Sequence, residues 1–297
     1  MTTDARRASS PLEILLLIAS PADFPSWSRE QQRDRNRRVL EWHDFIRARN
    51  PSQVPYVWGT HQLLSHTDLS PLNAMHAAVY RVESMAEYDE LMLEDPLRDC
   101  SRYATFQLAD LMHDHERDLA RFNKIKSELF GNKDPASFPE YQKLRSLYTN
   151  APDYVGKHKP QDPPNVPHDL SAKFSGESKL QVLIVETNTD GNQDFDDARQ
   201  LIIYEKVLWW ADYASKLITD GILTHGWTLH NFCNAVKFEA VREGAAAVYS
   251  VDSWEQFDSL YTLNPVRRAG QFWSVVLQPA QQQFEQDRRR YEVSLRR

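Results

Sequence analysis

The sequence of 297 residues has only two cysteines, Cys100 and Cys233. Two thiols are too few for a disulfide framework and do not supply a zinc-ligand set, so both kinds of stabilised fold are excluded. Unpaired cysteines are typical of a reducing compartment. We therefore predict a cytoplasmic protein in which both thiols are reduced.

Glycine is also scarce, with 9 residues in the whole chain. None of them forms a GxGxxG or Walker phosphate loop, and the sequence has no GxSxG nucleophile elbow. We therefore expect no nucleotide cofactor. The histidines and cysteines show no HExxH, CxxC or facial-triad spacing, and the sequence alone predicts no metal site.

Long apolar runs are missing as well, and the run Ile14–Ala19 is far shorter than the roughly 20 residues that span a bilayer. We expect no membrane partner. The 42 acidic side chains outnumber the 35 basic ones, and this net charge of −7 argues against a nucleic-acid partner. In contrast, aromatic side chains are plentiful, with 13 Phe, 12 Tyr and 8 Trp. So many large apolar rings require a buried core, which excludes a mainly disordered chain.

The chain repeats itself. Residues 78–98 align without a gap on residues 247–267, and nine of these 21 positions are identical. The same spacing aligns further segments: 12–17 with 180–185, 39–45 with 207–213, and Glu116, Asp118 and Arg121 with Glu285, Asp287 and Arg290. Such self-similarity along the chain indicates a tandem duplication.

Each copy predicts the same order of elements. An apolar run indicates a buried strand, an amphipathic helix follows, and two further strands precede a second helix. That second helix begins with a capping box, Ser84 with Glu87 in the first copy and Ser253 with Gln256 in the second. A last strand and a helix close the unit. The order β-α-β-β-α-β is the ferredoxin-like unit, so we predict an α+β protein of two tandem ferredoxin-like units packed sheet to sheet.

In this duplicated form the sequence resembles the dimeric α/β-barrel superfamily, fused into a pseudo-dimeric α/β barrel. The segment strand, Ser-x-x-Glu/Gln, helix, Asp/Asn-Pro is most similar to EthD-type and YCII-type domains. We predict a first barrel repeat over residues 10–125 and a second over 179–292. A proline-rich connector with short helices, residues 126–178, joins them.

Positions that differ between the copies are candidates for a site built in one half only. Histidine dominates them: His43 aligns with Ala211, and His76 with Ala245. Because histidine suits proton transfer near neutral pH, the predicted catalytic residues are His61, His76, Tyr80 and His43. We expect Trp58 to line one cleft together with His61 or His76 and Tyr80.

The predicted substrate-binding residues are Trp58, Arg98, Trp227, Tyr249 and Arg267. The tryptophans are expected to form the walls of an aromatic cleft. Arg98 and its counterpart Arg267 follow a capped proline, where each could bind an anionic ligand or form a salt bridge. Tyr80 and Tyr249 are alike in both copies, which also suits a purely structural role.

The resemblance implies a small-molecule enzyme without a nucleotide cofactor, of monooxygenase, cyclase or isomerase type, acting on an aromatic or polyketide-like substrate. In this hypothesis no cofactor is needed and the partner is a small hydrophobic or aromatic ligand. The chain is then a monomer or a homo-oligomer. Fused barrels of the superfamily also include haem enzymes, and this alternative makes His225 or His230 the haem ligand. A third alternative is a ligand-binding protein without catalysis.

Overall fold

The computed structural model describes residues 11–21, 23–65, 75–149, 179–187, 197–234, 238–239, 244–264 and 271–296. Its strands are β1 (Leu12–Ala19), β2 (Tyr56–Ser65), β3 (Met75–Val82), β4 (Arg102–Asp110), β5 (Leu180–Thr187), β6 (Leu223–Asn234), β7 (Phe238–Glu239), β8 (Gly244–Val251) and β9 (Gln271–Pro279). Its helices are α1 (Arg29–Arg47), α2 (Met85–Glu94), α3 (Leu111–Phe130), α4 (Pro139–Thr149), α5 (Asp197–Thr219), α6 (Trp254–Leu263) and α7 (Ala280–Arg296). This order confirms the predicted α+β fold of two ferredoxin-like units.

The two repeats share one closed sheet. Within each repeat the strands pair antiparallel, in the orders β4-β1-β3-β2 and β9-β5-β8-β6. Two pairings join the repeats, β2 with β9 and β4 with β6. We predicted two units packed sheet to sheet as a pseudo-dimeric α/β barrel, and the structure closes eight strands of the two units into one barrel. Pairing each exposed edge with the other repeat satisfies backbone groups that an open sheet would leave unpaired.

Three apolar layers stabilise the barrel. The interior is filled from both repeats by side chains such as Leu15, Phe106 and Leu229. Outside the sheet, α1 and α2 cover the first repeat, while α5 and α6 cover the second. Because both faces of β8 are covered, every residue of that strand is buried, which explains its continuous apolar sequence.

The predicted helix starts are confirmed. The Ser84 hydroxyl accepts a hydrogen bond from the Glu87 amide, and the Ser253 hydroxyl accepts one from the Gln256 amide, both at 3.2 Å. Asp95 caps the next turn, since its carboxylate accepts the Leu97 amide at 2.7 Å. Each cap satisfies a backbone donor that lacks a partner within its helix or turn.

The last helix, α7, crosses from the second repeat onto the first. It packs against α1 and lies over β2, where a Cβ on Gly59 would overlap the side chain of Gln283. Glycine at this position therefore allows the close approach of helix to strand. The corresponding helix of the first repeat, α3, packs in turn on α5 of the second. The repeats thus exchange their terminal helices.

Part of the predicted connector is helical. Helix α3 ends at Phe130, and α4 packs with it and with α5 around Phe130, Tyr141 and Leu201. Residues 150–178, which hold most of the proline-rich stretch, lie outside the described residues. Among the helices that the structure describes, none has the length and apolar character needed to cross a membrane.

Candidate functional site

Three buried side chains meet where α1, β3 and α7 come together. The Nε2 atoms of His43 and His76 lie 3.1 Å and 2.9 Å from the same carboxylate oxygen, Oδ2 of Asp287. All three side chains are at most 6% exposed. We call these residues the His–Asp–His cluster. It contains two of the predicted catalytic residues, and it joins them to an acid that comes from the other repeat.

Local sequence explains how each histidine reaches the cluster. His43 belongs to the buried stripe of α1 that also contains Val39, Trp42 and Ile46, at the spacing of a helix face packed on a sheet. His76 is the second residue of β3, and its ring packs on Trp42 with 4.8 Å between ring centroids. The two imidazoles also contact each other edge to face, at 5.1 Å. The apolar packing fixes both rings.

The Asp287 carboxylate is saturated with donors. In addition to the two histidines, Gln283 donates its side-chain amide to both carboxylate oxygens at 2.9 Å and 3.0 Å. Arg290 donates to Oδ1 at 3.1 Å. A carboxylate offers about four lone-pair positions, so these donors account for all of them. Bonds to an ionised acceptor are stronger than neutral ones, and this one therefore holds both imidazoles in place.

The charges of the cluster follow from its surroundings. Burial acts to raise the pKa of Asp287, but the hydrogen bonds from His43 and His76 outweigh it and lower that pKa below its usual range. Burial lowers the pKa of His76, more than its bond to Asp287 raises it. Near neutral pH the carboxylate is therefore ionised and the His76 ring is neutral.

The bond to Asp287 also decides the tautomer of His76. A neutral ring that donates from Nε2 carries no proton on Nδ1. That Nδ1 atom is buried and has no hydrogen-bond partner among the described residues. An unpaired buried acceptor costs free energy, and Nδ1 is the one ring nitrogen of His76 that has a lone pair for a proton.

A cavity of about 140 Å³ lies against the cluster. Its polar lining consists of Ser20, Arg35, Asn36, His76, Asp287 and Arg290. Phe24 and Val39 form its apolar wall. The cavity therefore gives a small molecule access to one histidine and the acid of the cluster, in a polar and positively charged setting.

The three donors could also hold a divalent cation. Ligands about 2.0–2.1 Å from one ion stand about 2.9–3.4 Å apart, which agrees with both distances between the imidazoles and the carboxylate. Two observations oppose this use. The carboxylate is already saturated with donors, and both Arg35 and Arg290 line the same cavity, where they would repel a cation. Hydrogen bonds alone account for the geometry.

The second repeat lacks a matching cluster. Its counterparts of the two histidines are Ala211 and Ala245, both buried, while the counterpart of the acid is the buried Asp118. Alanine offers no donor to that carboxylate. The fold therefore provides corresponding positions twice, and among the described residues only Asp287 is bound by histidines.

A second group of rings lies on the inner face of the barrel. His225 packs on Tyr56 and Trp227, with ring centroids 4.1 Å and 5.2 Å apart, and Trp58 lies 6.5 Å away. The indole of Trp227 donates to Glu13 at 3.1 Å. Burial lowers the pKa of His225, which favours a neutral ring. We call these four rings the barrel aromatic cluster. It brings Trp58 and Trp227 together, and their role as walls of a substrate cleft stays a prediction.

The structure separates two groups of residues that we predicted in one cleft. Trp58 faces the barrel interior, whereas His76 and Tyr80 face α1 on the other side of the sheet. The expectation of one cleft lined by Trp58 with His76 and Tyr80 is therefore wrong. Tyr80 lies in the core beside Tyr88, and burial raises the pKa of its hydroxyl well above the usual value. Tyr80 is not in contact with the His–Asp–His cluster.

The remaining predicted residues fall elsewhere. Tyr249 is fully buried between its sheet and the helices of the second repeat, and Arg98 is exposed in the turn after α2. His61 lies in β2 and His230 in β6, but their side chains are outside the described part of the chain. Arg267 also lies outside the described residues. The roles of His61, His230 and Arg267 stay predictions.

Sequence reasoning missed Asp287, Arg35 and Gln283 as site residues. A signal for Asp287 was present, because it aligns with Asp118 at a position that is acidic in both copies. The sequence did not show that α7 packs on the first repeat, so nothing joined this acid to the histidines. Arg35 and Gln283 lie in helices rich in polar residues, where nothing distinguishes them from solvent-exposed side chains.

No known protein family and no curated protein sequence matches this chain. Several solved structures are similar in fold. A chlorite dismutase variant from Candidatus Nitrospira defluvii is 9% identical, covers 93% of this chain and 94% of its own, and has a TM-score of 0.41. A haem-binding protein from Thermus thermophilus is 13% identical, covers 95% and 96%, and has a TM-score of 0.40. A putative chlorite dismutase is 9% identical, covers 93% and 99%, and has a TM-score of 0.39.

Identities and TM-scores this low are no evidence on function. The fold assignment rests on the strand order and closure described above, which are those of a dimeric α/β barrel fused into one chain. The finer resemblance to EthD-type and YCII-type domains stays a prediction.

Proposed function

We propose that this protein is a small-molecule enzyme in which His76 transfers a proton to or from the substrate in the adjacent cavity. The observation that carries the proposal is the His–Asp–His cluster itself. Two buried imidazoles share one ionised carboxylate beside a cavity, and only one of the two repeats has them. A histidine oriented by a buried acid is a common arrangement for general acid–base catalysis.

In the proposed step, His76 is the base and its neighbours orient it. His76 donates Nε2–H to Asp287, which leaves Nδ1 as the basic atom. When Nδ1 takes a proton from a carbon next to a carbonyl, the C–H bond breaks and its electron pair moves toward the carbonyl. The ring then carries a positive charge, which the carboxylate stabilises. His43 and Gln283 keep that carboxylate in place.

The cavity changes the expected substrate. Its volume of about 140 Å³ is close to that of a protein cavity of about 150 Å³ that holds one benzene molecule. This space encloses a small reacting group and not a polyketide, and a larger substrate has to extend beyond it. Phe24 and Val39 are its apolar contacts, in place of the predicted tryptophans. Isomerisation and cyclisation, both of which begin with proton transfer, agree best with this site.

Proton transfer can be tested without knowledge of the full reaction. Small carbonyl compounds that raise the melting temperature are incubated with the protein in D₂O, and loss of their C–H signals is followed by ¹H NMR. We expect exchange with the wild-type protein and its loss in His76→Gln. The matched control is His115→Gln, which removes a histidine from α3 outside the cluster and is expected to keep the exchange.

Two results contradict the proposal. One is equal exchange in the wild-type protein and in a folded His76→Gln variant. The other is binding of the compounds by the wild-type protein without any exchange, which favours the ligand-binding hypothesis. Addition of EDTA to the same samples tests a metal at the cluster, since an acid–base site keeps its activity after metal removal.

A haem protein is the second candidate, and the surroundings of His225 favour it. The ring is half-buried, its pKa is lowered by burial, and aromatic side chains surround it, so His225 is the residue that would bind a haem iron. Binding a porphyrin there requires the rings of Tyr56, Trp58 and Trp227 to move, so the described structure fits haem less well than proton transfer. Titration with hemin tests it. A Soret band that disappears in His225→Ala supports haem binding, and free hemin alone in the spectrum rejects it.

A further inference from the structure

Arg35 is a buried cation without a partner of opposite charge in the described structure. Its side chain is 4% exposed. Nε donates to the Cys100 carbonyl at 3.1 Å, and one terminal nitrogen donates to the Ser101 hydroxyl at 3.4 Å. Burying a charge is costly unless an opposite charge or a full set of hydrogen bonds compensates for it. The guanidinium also lies 5.1 Å from the centre of the Phe24 ring, and Asp287 attracts it across the cavity, but no carboxylate forms an ion pair with it among the described residues.

The groups around the cavity do not supply the missing charge. Arg35 and Arg290 bring two positive charges, and Asp287 brings one negative charge, so their sum is +1 before any charge on the histidines. The carboxylate is moreover occupied by its four donors. The other polar residues of the lining, Ser20 and Asn36, are neutral.

We propose that the cavity lined by the buried Arg35 and by Arg290 binds an anionic group of the substrate, either a carboxylate or a phosphate. The proposal rests on the proposed function and narrows its substrate to small anionic molecules. Arginine suits the task because its planar donors match the oxygens of both groups.

The geometry also orients such a substrate. Arg35 is enclosed, whereas the Arg290 side chain is 50% exposed and stands at the rim. An anionic group bound by the two arginines lies in the same cavity as His76, because all three side chains line it. The charged end is then fixed while the neighbouring carbon approaches the histidine. In this arrangement the arginines position the substrate, and His76 is the catalytic residue.

Binding can be measured with probes of known charge. Inorganic phosphate, propionate and the uncharged propionamide are titrated by calorimetry at constant ionic strength. We expect phosphate or propionate to bind the wild-type protein and propionamide not to bind. Arg35→Met removes the charge at nearly constant volume and is expected to weaken anion binding by at least about tenfold, since a hydrogen bond to a charged group is lost.

A second pair of variants keeps the test valid if Arg35→Met does not fold. Arg290→Met changes the rim arginine, and Arg121→Met changes its counterpart on α3. We expect weaker anion binding in the first and unchanged binding in the second. Absence of anion binding by the wild-type protein overturns the inference. The same conclusion follows if the Arg290→Met and Arg121→Met variants bind equally, or if Arg35→Met folds and binds as the wild type does.

The two probes distinguish the chemical source of the charge. Tighter binding of phosphate indicates a phosphorylated substrate, and tighter binding of propionate indicates a carboxylic acid. Failure of this inference is separable from failure of the proposed function. If the wild-type protein and His76→Gln both bind anions but the wild-type protein exchanges no protons, the catalytic proposal is rejected and the anion site is supported. If the wild-type protein exchanges protons of neutral compounds but not of anionic ones, the anion site is rejected and the catalytic proposal is supported.

Discussion

Replacing Asp287 by Asn tests whether the His–Asp–His cluster is held by an ionised carboxylate. The substitution keeps the size of the side chain but removes the negative charge. Asparagine has only one accepting oxygen, and its NH₂ group takes the place of the other. If the NH₂ group replaces Oδ2, both buried imidazoles lose their shared acceptor; if it replaces Oδ1, it faces Arg290, and the imidazoles keep only a neutral acceptor. Arg290 loses its ion pair at the same time.

The expected loss of stability follows from the burial of the cluster. Removing one member of a buried, hydrogen-bonded charged group costs about 3–5 kcal/mol. The entropy of unfolding is about 2.1 cal/mol/K per residue, so 297 residues give roughly 0.6 kcal/mol/K. The melting temperature is therefore expected to fall by about 5–8 °C.

Calorimetry and urea unfolding of Asp287→Asn measure this change, with Asp118→Asn as the matched control. Asp118 occupies the same position in the first repeat, but Ala211 and Ala245 give it no histidine donors. We expect Asp118→Asn to lower the free energy of unfolding clearly less than Asp287→Asn does. Equal losses in the two variants, or a loss below about 1 kcal/mol in Asp287→Asn, would refute the reasoning.

Three further predictions concern pH, packing and metal. Burial lowers the pKa of His76 in the folded protein, so this histidine is protonated in the unfolded chain at a higher pH than in the folded one. The free energy of unfolding should therefore fall as the pH drops below about 6.5. Urea titrations should show a shallower fall in His76→Gln. Gly59→Ala places a Cβ against Gln283 and should lower the free energy of unfolding in urea by about 1–3 kcal/mol. An unchanged free energy of unfolding would show that α7 does not pack closely on β2 at this position. Metal analysis should find no stoichiometric divalent ion, and a 1:1 zinc content that disappears in Asp287→Asn would show that the donors bind metal instead.

The sequence predicted the order of elements well because each element leaves a local signal. Apolar runs gave the strands, Ser84 and Ser253 gave the helix starts, and the duplication let each copy support the other. A barrel was predicted from the resemblance, but the strand pairs that close it were not, because the pairing of β2 with β9 joins residues more than 200 positions apart. No local pattern encodes such a contact.

The site could be predicted only in part, and β3 shows why. Alternation places Ala77 and Val79 on one face and Ala78 and Tyr80 on the other, but both faces are buried. When both faces of a strand are apolar, the sequence does not indicate which face lines the barrel interior. His76 was therefore placed in a cleft with Trp58, from which the structure separates it, although comparison of the copies had singled out its position.

The exchange of terminal helices has a consequence for the history of the site. If a single repeat assembled as a symmetric homodimer in this way, each of its two sites would combine a strand and helix of one subunit with the terminal helix of the other. Every substitution would then appear in both sites. Fusion into one chain removes that constraint, so Ala211 and Ala245 can replace histidines at one meeting point while the other keeps His43 and His76. In a fused chain, one meeting point can therefore lose its histidines while the other keeps them.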